Sequence, residues 1–188
     1  MRWLSLPILA MVLAACVVAG AQTPSSGGLG RPASEEEIRA LDIAVGPAGK
    51  ELPPGGGTPL EGAAIFAKKC VACHGQNGEG TKLAPQLVGG SLQLPKPVKT
   101  IGSYWPFATT IWDYIRRAMP FGQEGTLKPE EVYALTAFLL YKNGIVQEND
   151  RMDANTLPKV QMPNRQGFRP PPLSEWKPGM PRPFRIDP

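Results

Sequence analysis

Apolar positions follow three different patterns along the chain. Near the start they form an almost unbroken run, between residues 58 and 146 they recur at helical intervals, and elsewhere they are scattered among glycine and proline. The middle pattern predicts helices. At Thr58-Pro59-Leu60-Glu61 a threonine can cap, proline suits the first helical position, and Glu61 is placed to bond back to the cap. That helix continues through Ile65 and Phe66, which present apolar surface, toward Cys70. From Gly75 to Gly90 the chain reads as loop, punctuated by Gly78, Gly80, Pro85 and Gly89.

A second helix is expected from about 106 to 117, where Phe107, Ala108, Ile111, Trp112, Ile115 and Ala118 recur at helical spacing. It ends at Met119-Pro120, because proline disfavours the helical conformation of the residue before it. The third opens at Pro129-Glu130-Glu131, shows one apolar face through Val132, Leu135, Phe138 and Leu139, and closes at Asn143-Gly144. Lys128 is an unusual residue for its cap. Upstream, Ser34 and Glu37 can form a capping box for one short helix. The predicted fold class is therefore all-α.

The opening run, with one arginine, an apolar stretch and Ala19-Gly20-Ala21, reads as an export signal over residues 1 to 21. Leu13-Ala14-Ala15-Cys16 also fits a lipoprotein processing site, in which Cys16 would carry lipid and tether the protein to a membrane. Both cleavage patterns stand. Residues 22 to 57 form an irregular arm, 58 to 146 the folded domain, and 147 to 188 a tail with nine prolines. Trp176, Phe168 and Phe184 are spaced along that tail like anchors, so it is expected either to lie across the domain or a partner, or to be disordered. The 21 glycines and 22 prolines among 188 residues agree with a small body carrying long arms.

The candidate chemistry sits in Cys70-Val71-Ala72-Cys73-His74. Two thiols three apart at a helix end, with an imidazole following at once, form the pattern for attaching a c-type haem. In an oxidising compartment the alternative for Cys70 and Cys73 is a plain disulfide. Zinc would need further thiol or imidazole ligands, and beyond Cys16 the chain has no third cysteine and no second histidine. A thioredoxin-like redox pair would ask for a preceding strand, whereas a capped helix precedes this one. The formal charge of +4 would fall to +3 without Arg2, and to about +1 with two haem propionates, which argues against a nucleic-acid binder.

With His74 as the single histidine, a second axial ligand to haem iron must be methionine, lysine, something external or nothing. Met119, Met152, Met162 and Met180 remain after the leader. Met119 is favoured because it ends an apolar helix 45 residues after His74, enough chain to reach the opposite haem face; Met162 is the reserve. A thioether would raise the potential and close the iron to substrate, which makes electron transfer the expected role. A body of about ninety residues buries limited apolar surface, so the macrocycle would form much of its core. Ile65, Phe66, Leu83, Leu87, Tyr104, Trp105, Ile111 and Leu135 are the candidates to surround it, or simply to pack.

A helix carrying CVACH, a loop with APQLVGG, a helix ending in AMP and a closing helix together resemble a single-haem class I cytochrome c. The resemblance implies that fold around one covalent haem c, and assigns to Pro85 the carbonyl that fixes the His74 tautomer. More narrowly, TIGSYWPFATTIWDYIRRAMPF, LKPEEVYALTAFLLYKNGIV and TLPKVQMPNRQGF are similar to the cytochrome subunits of molybdenum sulfite and sulfane dehydrogenases. What that implies is a periplasmic electron-transfer subunit with a molybdopterin dehydrogenase partner and a downstream cytochrome c. The alternatives are a free or lipid-tethered respiratory shuttle, or a haem enzyme or gas sensor with open iron.

Overall fold

In a computed structural model the structure describes residues 30 to 168. The expected leader with Cys16, and Met180, Trp176 and Phe184 of the tail, lie outside them. Two units are distinguished, one ending at Asp42 and one beginning at Ile43. In the first, α1 spans Glu35–Leu41 and carries the predicted box: Ser34 accepts from the Glu37 amide, and Glu37 accepts from the Ser34 amide. Arg31 pairs with the same carboxylate and holds it at a pKa of about 2.

The second unit is helical, as the apolar spacing predicts. Helix α2 spans Pro59–Lys69, α3 Val71–His74, α4 Ile101–Tyr104, α5 Ala108–Ala118 and α6 Pro129–Lys142. At the start of α2, Thr58 and Glu61 make the reciprocal capping bonds that their spacing allows. Helix α4 lies outside the helices that apolar spacing predicts, and Thr100 and Ser103 cap it by the same device with serine as the returning side chain. A two-residue antiparallel pair, β1 at Gly56–Gly57 and β2 at Met152–Asp153, is the strand content of the described residues.

Helix α6 is the centre of the body. Every residue from Val132 to Leu140 is buried, so the expected single apolar face is corrected to a helix covered all round. It packs against α2, α4, α5 and both short strands, which leaves no wet side for polar residues to mark. Lys128 does stand at its cap, and Glu131 supplies the missing half of the box by accepting from the Lys128 amide at 2.9 Å. The crossing with α2 is close enough that a Cβ on Gly62 would stand 1.9 Å from the Ala134 carbonyl oxygen.

Residues 147 to 168, placed in the tail on composition, pack onto this body. Leu157 is fully buried, Met152 and Met162 nearly so, and all three join the core. Asn164 donates to the Tyr104 carbonyl at 2.6 Å, and the Phe168 ring meets Tyr104 edge to face at 5.0 Å. The buried carboxylate of Asp113 accepts from the Val45 amide at 2.9 Å and pairs with Arg117, fastening the chain entering the unit to α5.

Candidate functional site

Helix α2 ends at Cys70, and the chain makes one more turn as α3, with the Cys73 and His74 amides both donating to the Cys70 carbonyl at 3.2 and 3.0 Å. One turn thus carries both thiols and the imidazole. Both cysteines are free. Burial pushes the Cys70 thiol up to about 11, so it is a poor thiolate at neutral pH, while Cys73 is exposed.

His74 Nδ1 lies 3.2 Å from the Pro85 carbonyl oxygen. A carbonyl can only accept, so Nδ1 is the donor, and in the neutral ring this leaves the Nε2 lone pair for a metal. The loop that brings Pro85 there is fastened twice to the motif: Gly80 N–H donates to the His74 carbonyl at 2.8 Å, and the Thr81 hydroxyl to the Cys73 carbonyl at 2.6 Å. Gly80 has a φ of +86° and passes so near Gln86 that a Cβ would meet its nitrogen at 2.6 Å, so this turn requires glycine.

Sequence reasoning missed the residue that secures the far end of this loop. Asn143, at the C-cap of α6, accepts from the Gly89 amide at 2.9 Å and donates to the Leu87 carbonyl at 3.3 Å and the Leu139 carbonyl at 2.8 Å. Its position after the last helical turn announced a cap, but nothing local announced partners in a loop more than fifty residues earlier. The buried central helix is thereby linked, through Asn143, to the segment that orients His74.

Met119 closes α5, its amide donating to the Ile115 carbonyl at 3.0 Å, and its extended backbone (φ −130°, ψ 148°) turns the chain out of the helix. Its side chain is half-buried against the cluster that also receives Cys70, Val71, Leu87 and Trp105. Met152 and Met162 are instead buried as core side chains. Of the residues expected around a haem, Phe66, Ile111 and Leu135 are buried in the core, Ile65, Leu87 and Trp105 are packed against it, and Leu83 is 78% exposed. A cavity of about 250 Å³ lies elsewhere, lined by Trp112, Arg116, Leu127 and Val132 and by none of the motif residues.

The donor set fits a haem c: two free thiols and one imidazole on a single turn, with the imidazole already in the tautomer that binds iron through Nε2. Among the described residues no group of three or more acidic, cysteine or histidine side chains could hold a separate metal ion. The same residues likewise include no helix long and apolar enough to cross a membrane.

Residues 57–139 match the family described as cytochrome c oxidase, cbb3-type, subunit III. Among solved structures, a chain of the sulfane dehydrogenase SoxCD from Paracoccus pantotrophus is 45% identical with a TM-score of 0.70, covering 85% of this chain and 81% of that one. Two curated relatives are thiosulfate dehydrogenases. That from Stutzerimonas stutzeri is 29% identical over 50% of this chain and 33% of its own length. That from Allochromatium vinosum is 31% identical over 43% of this chain and 30% of its own. The chain thus spans about a third of the length of the curated relatives it matches. With this fold, this donor set and that similarity over most of both chains, the protein belongs to the class I cytochromes c, in the electron-transfer family that includes the matched chain of sulfane dehydrogenase.

Proposed function

We propose that this protein is a periplasmic electron-transfer subunit with one covalent haem c, accepting electrons from a molybdopterin sulfite or sulfane dehydrogenase subunit and passing them to another cytochrome c. In this reading Cys70 and Cys73 would hold the haem as thioethers, and His74 Nε2 and the Met119 sulfur would be the protein ligands to its iron. Such a group supplies reversible one-electron exchange with no open position for a substrate. The chain's own contribution is to orient and to shield. Pro85 fixes the imidazole, Asn143 fixes the loop bearing Pro85, and the cluster around Phe66 and Leu135 excludes water.

The observation that carries the haem assignment is the His74–Pro85 bond at 3.2 Å beside two free thiols. The choice of partner is supported by the extent of the likeness to the sulfane dehydrogenase chain, which runs beyond the haem domain. Export follows from the apolar opening run, and lipid on Cys16 would add a membrane tether. Copurification from a native extract tests the reading. A molybdenum protein eluting with the cytochrome, and reducing it when sulfite or a sulfane-sulfur substrate is added, is expected; a cytochrome that elutes alone and is untouched by that reaction contradicts it.

A further inference from the structure

We propose that the loop from Ser91 to Val98 is a docking surface for an acidic-faced protein, and that its occupant is the dehydrogenase subunit that donates electrons. The identity of the occupant rests on the function proposed above; the surface itself rests on the observations that follow.

Leu92, Leu94 and Val98 are all exposed within seven residues, Leu94 by half its surface. Single exposed leucines are ordinary on a protein surface. Three together on one loop, where every residue from Leu92 to Lys99 is exposed, leave an apolar patch that the body does not cover. The loop is nevertheless well held. Val98 N–H donates to the Ser91 carbonyl at 3.0 Å, and Ser103 Oγ donates to the Val98 carbonyl at 2.9 Å. Thr100 donates to the Gly89 carbonyl, and Gly89 is itself held by Asn143. Pro95 and Pro97 restrict the tip further. A patch ordered before binding loses little conformational entropy when a partner covers it.

Charge identifies the chemistry of the partner. From Gly80 to Trp112 the chain contains no aspartate or glutamate, yet it carries Lys82, Lys96 and Lys99. Among the described residues neither Lys82 nor Lys96 has a carboxylate partner, and Lys99 rests over the Tyr104 ring, 4.8 Å from its centre. An apolar patch that carries Lys96 without a carboxylate partner, with Lys99 at its end, is complementary to an apolar patch bordered by carboxylates. Its place also suits electron exchange, because the loop's stem, Gly89, continues the segment whose Pro85 carbonyl holds His74. A protein seated on the loop would thus bind a segment continuous with the one that orients His74.

The test uses the full-length, haem-loaded protein and the molybdenum subunit purified from the same source, with association rate and affinity measured at low and high salt. Leu92→Ser with Leu94→Ser is expected to weaken binding about tenfold at either salt. Lys96→Glu is expected to slow association about tenfold at low salt, with the difference closing as salt screens it. The visible spectrum and melting temperature of each variant should match wild type, since none of these side chains is buried. If wild type binds and the variants bind as well as it does, the loop is not the docking surface. If wild type does not bind the molybdenum subunit at all, the proposed function fails and this occupant fails with it.

Discussion

Asn143 and Gly89 are joined by a 2.9 Å hydrogen bond across 54 residues of sequence, so the end of the central helix grips the loop that orients His74. Replacing Asn143 by alanine removes this acceptor and two donor bonds at once. The expected cost is about 1 to 3 kcal/mol of unfolding free energy, read by urea titration. Asn143→Asp keeps the acceptor for Gly89 and should lose less. If the clamp also positions the imidazole, Asn143→Ala shifts the midpoint potential, whereas a mutation of similar cost on the far side of α6 leaves the potential unchanged.

Gly62→Ala places a methyl group 1.9 Å from the Ala134 carbonyl, and the backbone it meets cannot yield as a flexible side chain would. Parting α2 from α6 should cost about 2 kcal/mol or more and lower the melting temperature by several degrees. Ala64→Ser, on the exposed side of α2, should change little.

The element boundaries show which kinds of information were local. Ser34 with Glu37 and Thr58 with Glu61 are complete capping boxes written within four residues, and both helices begin where they should. Thr100 with Ser103 is the same device with a shorter returning side chain, opening a helix of only four residues, too short for an apolar periodicity to show. Helix α6 looked one-sided because an apolar stripe is recognisable only against a polar face, and Thr136, which breaks the run, satisfies its hydroxyl internally on the Val132 carbonyl. The prolines around Leu157 and Met162 point to irregular backbone, yet Leu157–Lys159 makes one turn of 3-10 helix with Pro158 in its first turn, and composition says nothing about the burial of Leu157 and Met162. Within the site, Cys70, Cys73 and His74 were legible because attachment chemistry demands adjacency. Asn143 was not, because its partners are adjacent only after folding.

Asp113 is a buried carboxylate with two tasks, accepting from Val45 and pairing with Arg117. Asp113→Ala leaves the Val45 amide without its partner and should cost about 1 to 3 kcal/mol. Arg117→Ala, which exposes no orphaned amide, should cost less. Limited proteolysis near Val45 checks the mechanism: Asp113→Ala should open that segment to cleavage before the body unfolds, and Arg117→Ala should not.

Backbone amides at the caps hold the Glu61 and Glu131 carboxyls below their ordinary values, with Lys69 contributing to Glu131 from 3.0 Å. A lowered folded-state pKa gives stability that is complete above the unfolded value and lost as pH falls through the folded one. Unfolding free energy should therefore decline on the acid side of about pH 4.3, the usual glutamate value. Glu131→Gln keeps an acceptor for the Lys128 amide but cannot titrate, so its stability should fall less steeply over that range than wild type.

The most direct test of the account is the intact mass of the protein matured in a host with a working cytochrome assembly apparatus, taken with its visible spectrum in both oxidation states. A mass greater than the polypeptide by one haem is predicted, together with a methionine-to-iron band that disappears in Met119→Ala as the potential falls. A colourless protein with the mass of its amino acids alone would contradict the assignment of Cys70, Cys73 and His74. A coloured one that lacks the band and binds carbon monoxide readily would contradict the assignment of Met119.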